Sequence, residues 1–216
     1  MSMSWQERVF KNFKLYAVTD LDRPDALILK KVEAAYRGGA DIVQLRSKCL
    51  PDAEKIKLGL AIRKIATRLK KLYFMNDSLD LALLTNADGL HVGQDDVSPR
   101  AIRFLCGKYK KKLFLGLSTH NEDQLKRALR EPVDYFAVGP VFKTPTKPTY
   151  GSVGLKLVQR AARLANKPWL AIGGVSETNI ERVVACGASR VAVVRAVFNA
   201  KQTGDACRRL IMKLKG

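Results

Sequence analysis

Short apolar segments alternate with longer amphipathic segments along almost the whole of this 216-residue chain. The apolar segments are rich in β-branched and aromatic residues, as strands buried on both faces are. There are eight of them: Leu15–Thr19, Ile42–Arg46, Leu72–Asn76, Gly89–Val92, Leu113–Leu117, Tyr135–Val138, Trp169–Ile172 and Val191–Val194. The amphipathic stretches between them predict helices, among them 24–38, 52–70, 121–130, 152–165 and 176–186. This repetition predicts an α/β protein, a single-domain (β/α)₈ TIM barrel over residues 1–216 with an N-terminal extension of about residues 1–13.

An open, doubly wound sheet is the alternative arrangement of alternating strands and helices. It usually has fewer strands in a chain of this length, and no G-x-G-x-x-G turn follows the first apolar segment. The turns Gly39-Ala40-Asp41 and Gly187-Ala188-Ser189 repeat one pattern, in which a glycine ends a helix before a strand. Asn121 and Ser176 precede acidic residues and are predicted helix N-caps. These features favour the barrel.

The chain is strongly basic, with 39 Lys and Arg residues against 20 Asp and Glu residues and a formal net charge of +19. This excess favours an anionic partner, such as a nucleic acid, a membrane surface or a phosphorylated small molecule. The basic residues cluster in the predicted helix 52–70 and in the segment 108–112, without an aromatic stacking platform or a nucleic-acid-binding motif. We therefore predict phosphorylated small molecules as ligands and disfavour nucleic acid.

The hydrophobicity pattern indicates a cytoplasmic protein that does not contact the membrane. No apolar run approaches the roughly 18 residues that span a bilayer. The first residues also lack the apolar core of a signal peptide. The sequence leaves the oligomeric state open, and a homo-oligomer is compatible with it.

Polar residues follow nearly every predicted strand at its carboxyl end, where barrels carry their chemistry. They include Gln44, Arg46, Lys48, Asn76, Asp77, His91, Gln94, Asp95, Asp96, Ser118, His120, Thr144, Thr146, Lys147, Gly173, Gly174 and Arg195. Each of them alone has a structural explanation, as a helix cap, an ion pair, a turn or a core residue. Their convergence on one rim of the barrel predicts a functional site.

The residue types on this rim suit phosphate chemistry with a divalent cation. Arg46, Lys48 and Lys147 supply positive charge for a diphosphate, and an arginine can bind it through two parallel hydrogen bonds. Asp77 and Asp96 are hard oxygen ligands of the kind that Mg²⁺ prefers, and Mg²⁺ commonly bridges such carboxylates to phosphates. The sequence therefore predicts a diphosphate site with bound Mg²⁺.

A second anion site is predicted from the last third of the chain. The segment 139–148 presents Thr144 and Thr146 among three prolines, which restrict the backbone. Gly173 and Gly174 follow the seventh strand and expose backbone N–H groups before a helix. Two anion sites on one rim imply two phosphorylated substrates or one large substrate.

Six segments, in this order, resemble the thiamine phosphate synthase family. They are Gln44-Leu45-Arg46-Ser47-Lys48, Asn76-Asp77, His91–Asp96, Gly116–His120, the loop Gly139–Lys147 and Ala171–Val175, within a match from Leu15 to Ala196. The resemblance implies a transferase that joins a hydroxymethylpyrimidine diphosphate to a thiazole phosphate, carboxylated or not, and releases pyrophosphate. Two positions depart from the family's pattern: Lys143 stands where a proline is expected, and Arg195 stands where a serine is common.

The resemblance also implies a role for each matching residue. The pyrimidine diphosphate is expected to bind Gln44, Arg46, Lys48, Asn76, Ser118 and Lys147, with Arg46, Lys48, Ser118 and Lys147 acting in catalysis. The thiazole phosphate is expected to bind Thr144, Thr146, Gly174 and the amides of Val194 and Arg195. Asp77 and Asp96 are expected to hold Mg²⁺. A dissociative reaction, in which pyrophosphate leaves before the thiazole nitrogen attacks, needs no general base.

Two other functions remain as alternatives. A thiazole tautomerase on the same barrel would use His120 as a proton shuttle. The presence of Asp77, Asp96, Arg46, Lys48 and Lys147 favours the synthase instead. A non-catalytic nucleic-acid-binding protein would explain the basic surface, but it leaves the polar rim unexplained.

Overall fold

The computed structural model describes residues 3–21, 25–144 and 151–215. Eight parallel strands form a closed barrel in chain order, and the last strand pairs with the first. The strands are β1 Leu15–Val18, β2 Ile42–Leu45, β3 Leu72–Asn76, β4 Gly89–Val92, β5 Phe114–Thr119, β6 Tyr135–Val138, β7 Trp169–Ile172 and β8 Val191–Val193. The predicted TIM barrel is confirmed, and the apolar segments coincide with its strands to within two residues.

Helices alternate with the strands and cover the outside of the barrel. In the described residues they are α1 Trp5–Asn12, α2 Ile28–Arg37, α3 Asp52–Arg68, α4 Leu79–Leu84, α5 Pro99–Lys108, α6 Glu122–Arg130, α7 Gly154–Leu164, α8 Ile180–Ala185, α9 Arg195–Phe198 and α10 Thr203–Lys215. None of the helices in this part of the chain is long and apolar enough to cross a membrane.

Helix α1 lies within the predicted N-terminal extension and closes the amino end of the barrel. Ser4 and Glu7 form a reciprocal capping box at its first turn. Phe10 and Phe13 are buried with the inward-facing residues of the strands, and the ring of Phe10 stacks on Phe114 with centroids 4.0 Å apart. Helix α1 therefore covers the barrel interior at its amino end.

The barrel interior contains bulky aromatic residues because two inward-facing glycines leave room for them. A Cβ atom on Gly116 would lie 2.1 Å from Cζ of Tyr135, and one on Gly89 would lie 2.5 Å from the ring of Phe74. Contacts this short exclude a side chain at either position. The two rings consequently fill the middle of the barrel.

Three aspartates hold the amino ends of alternate strands. Asp41, Asp88 and Asp134 precede β2, β4 and β6, and each accepts a hydrogen bond from the backbone N–H at the start of the preceding strand, at 2.7–2.9 Å. Each carboxylate also pairs with a cation from another element: Lys71, Arg63 and Arg103, respectively. These charges are therefore matched within the fold.

Of the two predicted N-caps, one is confirmed and one is wrong. Oδ1 of Asn121 accepts a hydrogen bond of 2.9 Å from the backbone N–H of Gln124. Ser176 does not cap a helix, because a turn follows it and α8 begins only at Ile180. Asn179 makes this turn by accepting from the N–H of Ser176 and donating to the carbonyl of Gly174, both at 2.9 Å.

Candidate active site

A cavity of about 340 Å³ opens at the carboxyl end of the barrel. Eight of the thirteen residues with a predicted substrate or metal role line it: Gln44, Arg46, Asn76, Ser118, Thr144, Gly174, Val194 and Arg195. They come from β2, β3, β5 and from the segments that follow β6, β7 and β8. The topology therefore brings residues from across the chain to one cavity, as the sequence predicts.

The other five residues with a predicted role fall into two groups. Lys48, Asp77 and Asp96 are exposed and belong to the segments that follow β2, β3 and β4, so they lie at the same end of the barrel but outside the cavity lining. Thr146 and Lys147 lie outside the described residues.

Arg46 is the buried cation of the cavity wall. Its guanidinium forms an ion pair with Asp20, which follows β1. Its backbone N–H donates to Oγ1 of Thr19 at 2.9 Å. Burial lowers the pKa of Arg46, and the nearby charge of Asp77 opposes that change. Asp20 is not among the predicted site residues, although it follows a strand at the same end of the barrel as they do.

A buried chain of polar side chains crosses the barrel beneath the cavity. Nε2 of Gln44 donates to the hydroxyl of Tyr16 at 2.8 Å, and the hydroxyls of Tyr16 and Tyr135 are 3.1 Å apart. The Tyr135 hydroxyl lies 2.9 Å from Nδ1 of His91, and Nε2 of His91 lies 2.9 Å from Oγ of Ser118. We call these five residues the polar chain. It connects Gln44 and Ser118, which have predicted roles in binding substrate, through Tyr16, Tyr135 and His91, and of these three only His91 belongs to the predicted polar rim.

His120 also lines the cavity. Its Nδ1 lies 2.5 Å from the carbonyl oxygen of Gly139, and its backbone N–H donates to Oε1 of Gln124 at 2.7 Å. A carbonyl oxygen can only accept, so Nδ1 of His120 carries a hydrogen. Nearby, Nε2 of Gln94 donates to the carbonyl oxygen of Ser118 at 2.5 Å. These contacts tie the segments after β4, β5 and β6 together at the cavity.

The segments after β6 and β7 pack closely to form one wall. The N–H groups of Val141 and Phe142 donate to the carbonyls of Ile172 and Gly173 at 2.9 and 3.0 Å. Gly173 and Gly174 have φ angles of 95° and 66°. A Cβ atom on either would lie within 3 Å of the opposite segment. The double glycine is therefore required both by backbone conformation and by space.

The chemistry of Asp77 and Asp96 fits a magnesium site. The backbone N–H of Asp77 donates to the carbonyl of His91 at 2.8 Å, which holds the end of β3 beside β4. Oδ2 of Asp96 accepts from the N–H of Gly93 at 2.6 Å. Within the described residues no cluster of three or more His, Cys, Asp or Glu side chains could hold a metal ion. Two exposed carboxylates suit Mg²⁺, which takes its other ligands from water and substrate phosphates.

Comparisons with known proteins agree in one description. Residues 15–197 match the family model of thiamine monophosphate synthase. The chain is 43% identical over 190 residues to the thiamine-phosphate synthase of Thermus thermophilus, a match that covers 87% of this chain and 89% of that protein. It is 38% identical over 209 residues to the protein of the same name from Nostoc sp. PCC 7120, covering 97% of this chain but only 58% of that protein.

The fold also matches that of a solved structure. Thiamine phosphate pyrophosphorylase from Pyrococcus furiosus superposes with a TM-score of 0.84 at 27% identity, covering 94% of this chain and 96% of that chain. The present chain spans little more than half the length of its cyanobacterial relatives. It nevertheless matches almost the full length of the Pyrococcus chain.

Proposed function

Because the chain belongs to the thiamine monophosphate synthase family, we propose that it joins a hydroxymethylpyrimidine diphosphate to a thiazole phosphate and releases pyrophosphate. One observation carries the proposal: a single cavity at the carboxyl end of the barrel is lined by residues that suit both substrates, including Arg46, Ser118, Gly174 and Arg195.

The diphosphate half of the cavity is supplied by β2, β3 and β5. Arg46 offers a guanidinium that is fixed in place by Asp20, so little conformational freedom is lost when a phosphate binds. Ser118 offers a hydroxyl, and Gln44 and Asn76 offer amides for the pyrimidine ring. Lys48, with Lys147 from outside the described residues, adds positive charge for the diphosphate.

The thiazole half is supplied by the segments after β6, β7 and β8. Thr144 offers a hydroxyl, and Gly174, Val194 and Arg195 offer backbone N–H groups. Arg195 adds a side-chain cation at this edge, which favours a phosphorylated or carboxylated thiazole. The tight packing of Gly173 against Pro140 holds this wall in place.

The proposed reaction requires charge stabilisation and positioning rather than proton transfer. As the bond between the pyrimidine methylene carbon and the diphosphate oxygen breaks, negative charge grows on the leaving pyrophosphate, and Arg46, Lys48 and Ser118 stabilise it. The thiazole nitrogen already has a lone pair, so its attack on the methylene carbon benefits from proximity alone. Asp77 and Asp96 would hold Mg²⁺, which would supply further positive charge to the diphosphate.

A coupling assay tests this function. Purified protein is mixed with hydroxymethylpyrimidine diphosphate, thiazole phosphate and Mg²⁺, and both thiamine phosphate and pyrophosphate are quantified. We expect the two products in equal amounts, and none when either substrate is omitted. Replacing Lys48 by methionine should slow coupling about tenfold. The matched variant Lys64→Met, on the exposed face of α3, should not slow it. The absence of product from folded protein would overturn the proposal.

The tautomerase alternative rests on His120, which lines the cavity. It predicts isomerisation of a thiazole carboxylate phosphate in the absence of the pyrimidine substrate, and loss of that activity in His120→Asn. The synthase proposal predicts that His120→Asn retains most coupling activity. The two functions are therefore separated by one variant and two assays.

A further inference from the structure

The contacts of the polar chain determine which residue donates and which accepts in each of its hydrogen bonds. At one end, Nε2 of Gln44 can only donate, so the Tyr16 oxygen accepts from it. Each tyrosine hydroxyl has a single hydrogen. Tyr16 therefore donates a hydrogen bond to the hydroxyl oxygen of Tyr135, and Tyr135 donates one to Nδ1 of His91. Nε2 of His91 then carries the ring hydrogen and donates it to Oγ of Ser118.

The reverse direction is disfavoured by burial. If Tyr135 donated to Tyr16, the hydroxyl hydrogen of Tyr16 would have no acceptor within the chain, because Gln44 presents its N–H₂ group there. Tyr16 is only 1% exposed, and an unmade hydrogen bond at such a position is costly. Burial also raises the pKa of Tyr16 and of Tyr135, so both remain neutral hydroxyls that can donate.

We infer that His91 is a positioning residue for Ser118. When His91 is neutral and protonated at Nε2, it donates a hydrogen bond to Oγ of Ser118, so that this oxygen is an acceptor. The hydrogen of the Ser118 hydroxyl is then left to point into the cavity, where an anionic oxygen accepts it. In the opposite direction Ser118 would donate to His91 and present only lone pairs to an anion, which would repel it.

The identity of that anion, a diphosphate oxygen, rests on the proposed function. The tautomer of His91 does not, because it follows from contacts within the protein. His120 provides an internal reference, since its Nδ1 faces a carbonyl oxygen and must be protonated. The two histidines of the chain are therefore expected to have opposite tautomers.

Nitrogen NMR of ¹⁵N-histidine-labelled protein, without ligand and above the pH at which imidazoles ionise, tests the tautomer. We expect one histidine with unprotonated Nδ1 and protonated Nε2, and one with protonated Nδ1. The spectrum of His120→Gln assigns the two. A His91 signal showing protonated Nδ1, or an even mixture of tautomers, would overturn the inference whether or not the protein couples its substrates.

Kinetics of Tyr135→Phe test the connection to Ser118. This variant removes the donor to Nδ1 of His91 but keeps the ring that fills the space beside Gly116. We expect kcat to fall about tenfold and the tautomer preference of His91 to weaken. In a Ser118→Ala background the same change should reduce kcat no further, because the group that it positions is already absent.

The matched control is Tyr73→Phe. It removes another buried tyrosine hydroxyl, one that contacts Thr85 outside the barrel interior. We expect kcat to be unchanged in this variant. Equal losses of kcat from Tyr135→Phe with and without Ser118, or an equal loss from Tyr73→Phe, would contradict a positioning role. If the wild-type protein released no pyrophosphate, the proposed function would fail while the NMR result still decided the tautomer.

Discussion

The two ends of the barrel each contain a largely buried arginine–aspartate pair, and the pairs differ in what surrounds them. Arg63 and Asp88 lie at the closed amino end, with side chains 14% and 9% exposed. Arg46 and Asp20 lie at the open end, with side chains 7% and 21% exposed. Burial of the arginine therefore does not distinguish them. The difference lies in the other neighbours of each pair.

At the amino end, Asp88 also accepts the backbone N–H of Tyr73, so the pair joins α3 to the start of β3. Nearby, Asp41 accepts the backbone N–H of Lys14 just before β1, and Asp134 accepts that of Leu115 near the start of β5. At the carboxyl end, Arg46 lines the cavity and lies close to the charge of Asp77. The same two residue types thus hold the fold at one end, and at the other we propose that they offer a cation to a ligand.

The largest expected effect is on catalysis, from Arg46→Met. Removing a fixed cation that faces developing negative charge should reduce kcat by roughly 100-fold or more. The free energy of unfolding should fall by only about 1 kcal/mol, because the side chain of Asp20 is 21% exposed and can be hydrated. Coupling rates and urea unfolding of the same preparation measure the two effects. Wild-type turnover in this variant would remove Arg46 from the proposed reaction.

The reciprocal change, Arg63→Met, should act on stability. It leaves Asp88 buried without its cation, which should lower the free energy of unfolding by about 3 kcal/mol. Burial already raises the pKa of the Asp88 carboxyl. Activity per folded molecule should remain that of the wild type, as measured at a temperature below the lowered Tm. A variant as stable as the wild type would show that the pair does not hold the amino end.

Two glycine substitutions, with smaller expected effects on the free energy of unfolding, compare the barrel interior with the barrel surface. Gly116→Ala should cost about 1–3 kcal/mol in the free energy of unfolding, because the new methyl group meets the ring of Tyr135. Gly107→Ala, near the end of α5 with no atom within 4 Å of the added carbon, should instead stabilise by about 0.5–1 kcal/mol. Urea unfolding of both variants checks the opposite signs. Equal effects would mean that Tyr135 is not closely packed.

The sequence predicts the elements and the functional end of this protein because both follow from local pattern and topology. Continuous apolar segments become parallel strands. Once the barrel is closed, the polar residues in and after the carboxyl ends of these strands must meet at one end, as Gln44, Ser118 and Arg195 do. Knowledge of the barrel is therefore sufficient to locate these residues.

The interactions between distant residues could not be predicted in this way. Asp20 and Arg46 are 26 residues apart, and Tyr16 and Tyr135 are 119 apart. Whether such pairs meet depends on strand register, on which side chains face inward and on the space left by Gly116. The wrong N-cap at Ser176 has a similar cause, because Asn179 makes an extra turn after the double glycine.

Binding of inorganic pyrophosphate tests the contrast between the two ends most directly. Calorimetric titration with Mg²⁺ present compares the wild-type protein, Arg46→Met and Arg63→Met at a temperature where all three are folded. We expect Arg46→Met to bind at least tenfold more weakly, through loss of charge-assisted hydrogen bonds, and Arg63→Met to bind as the wild type does. Unchanged affinity in Arg46→Met, or an equal loss in folded Arg63→Met, would contradict the account.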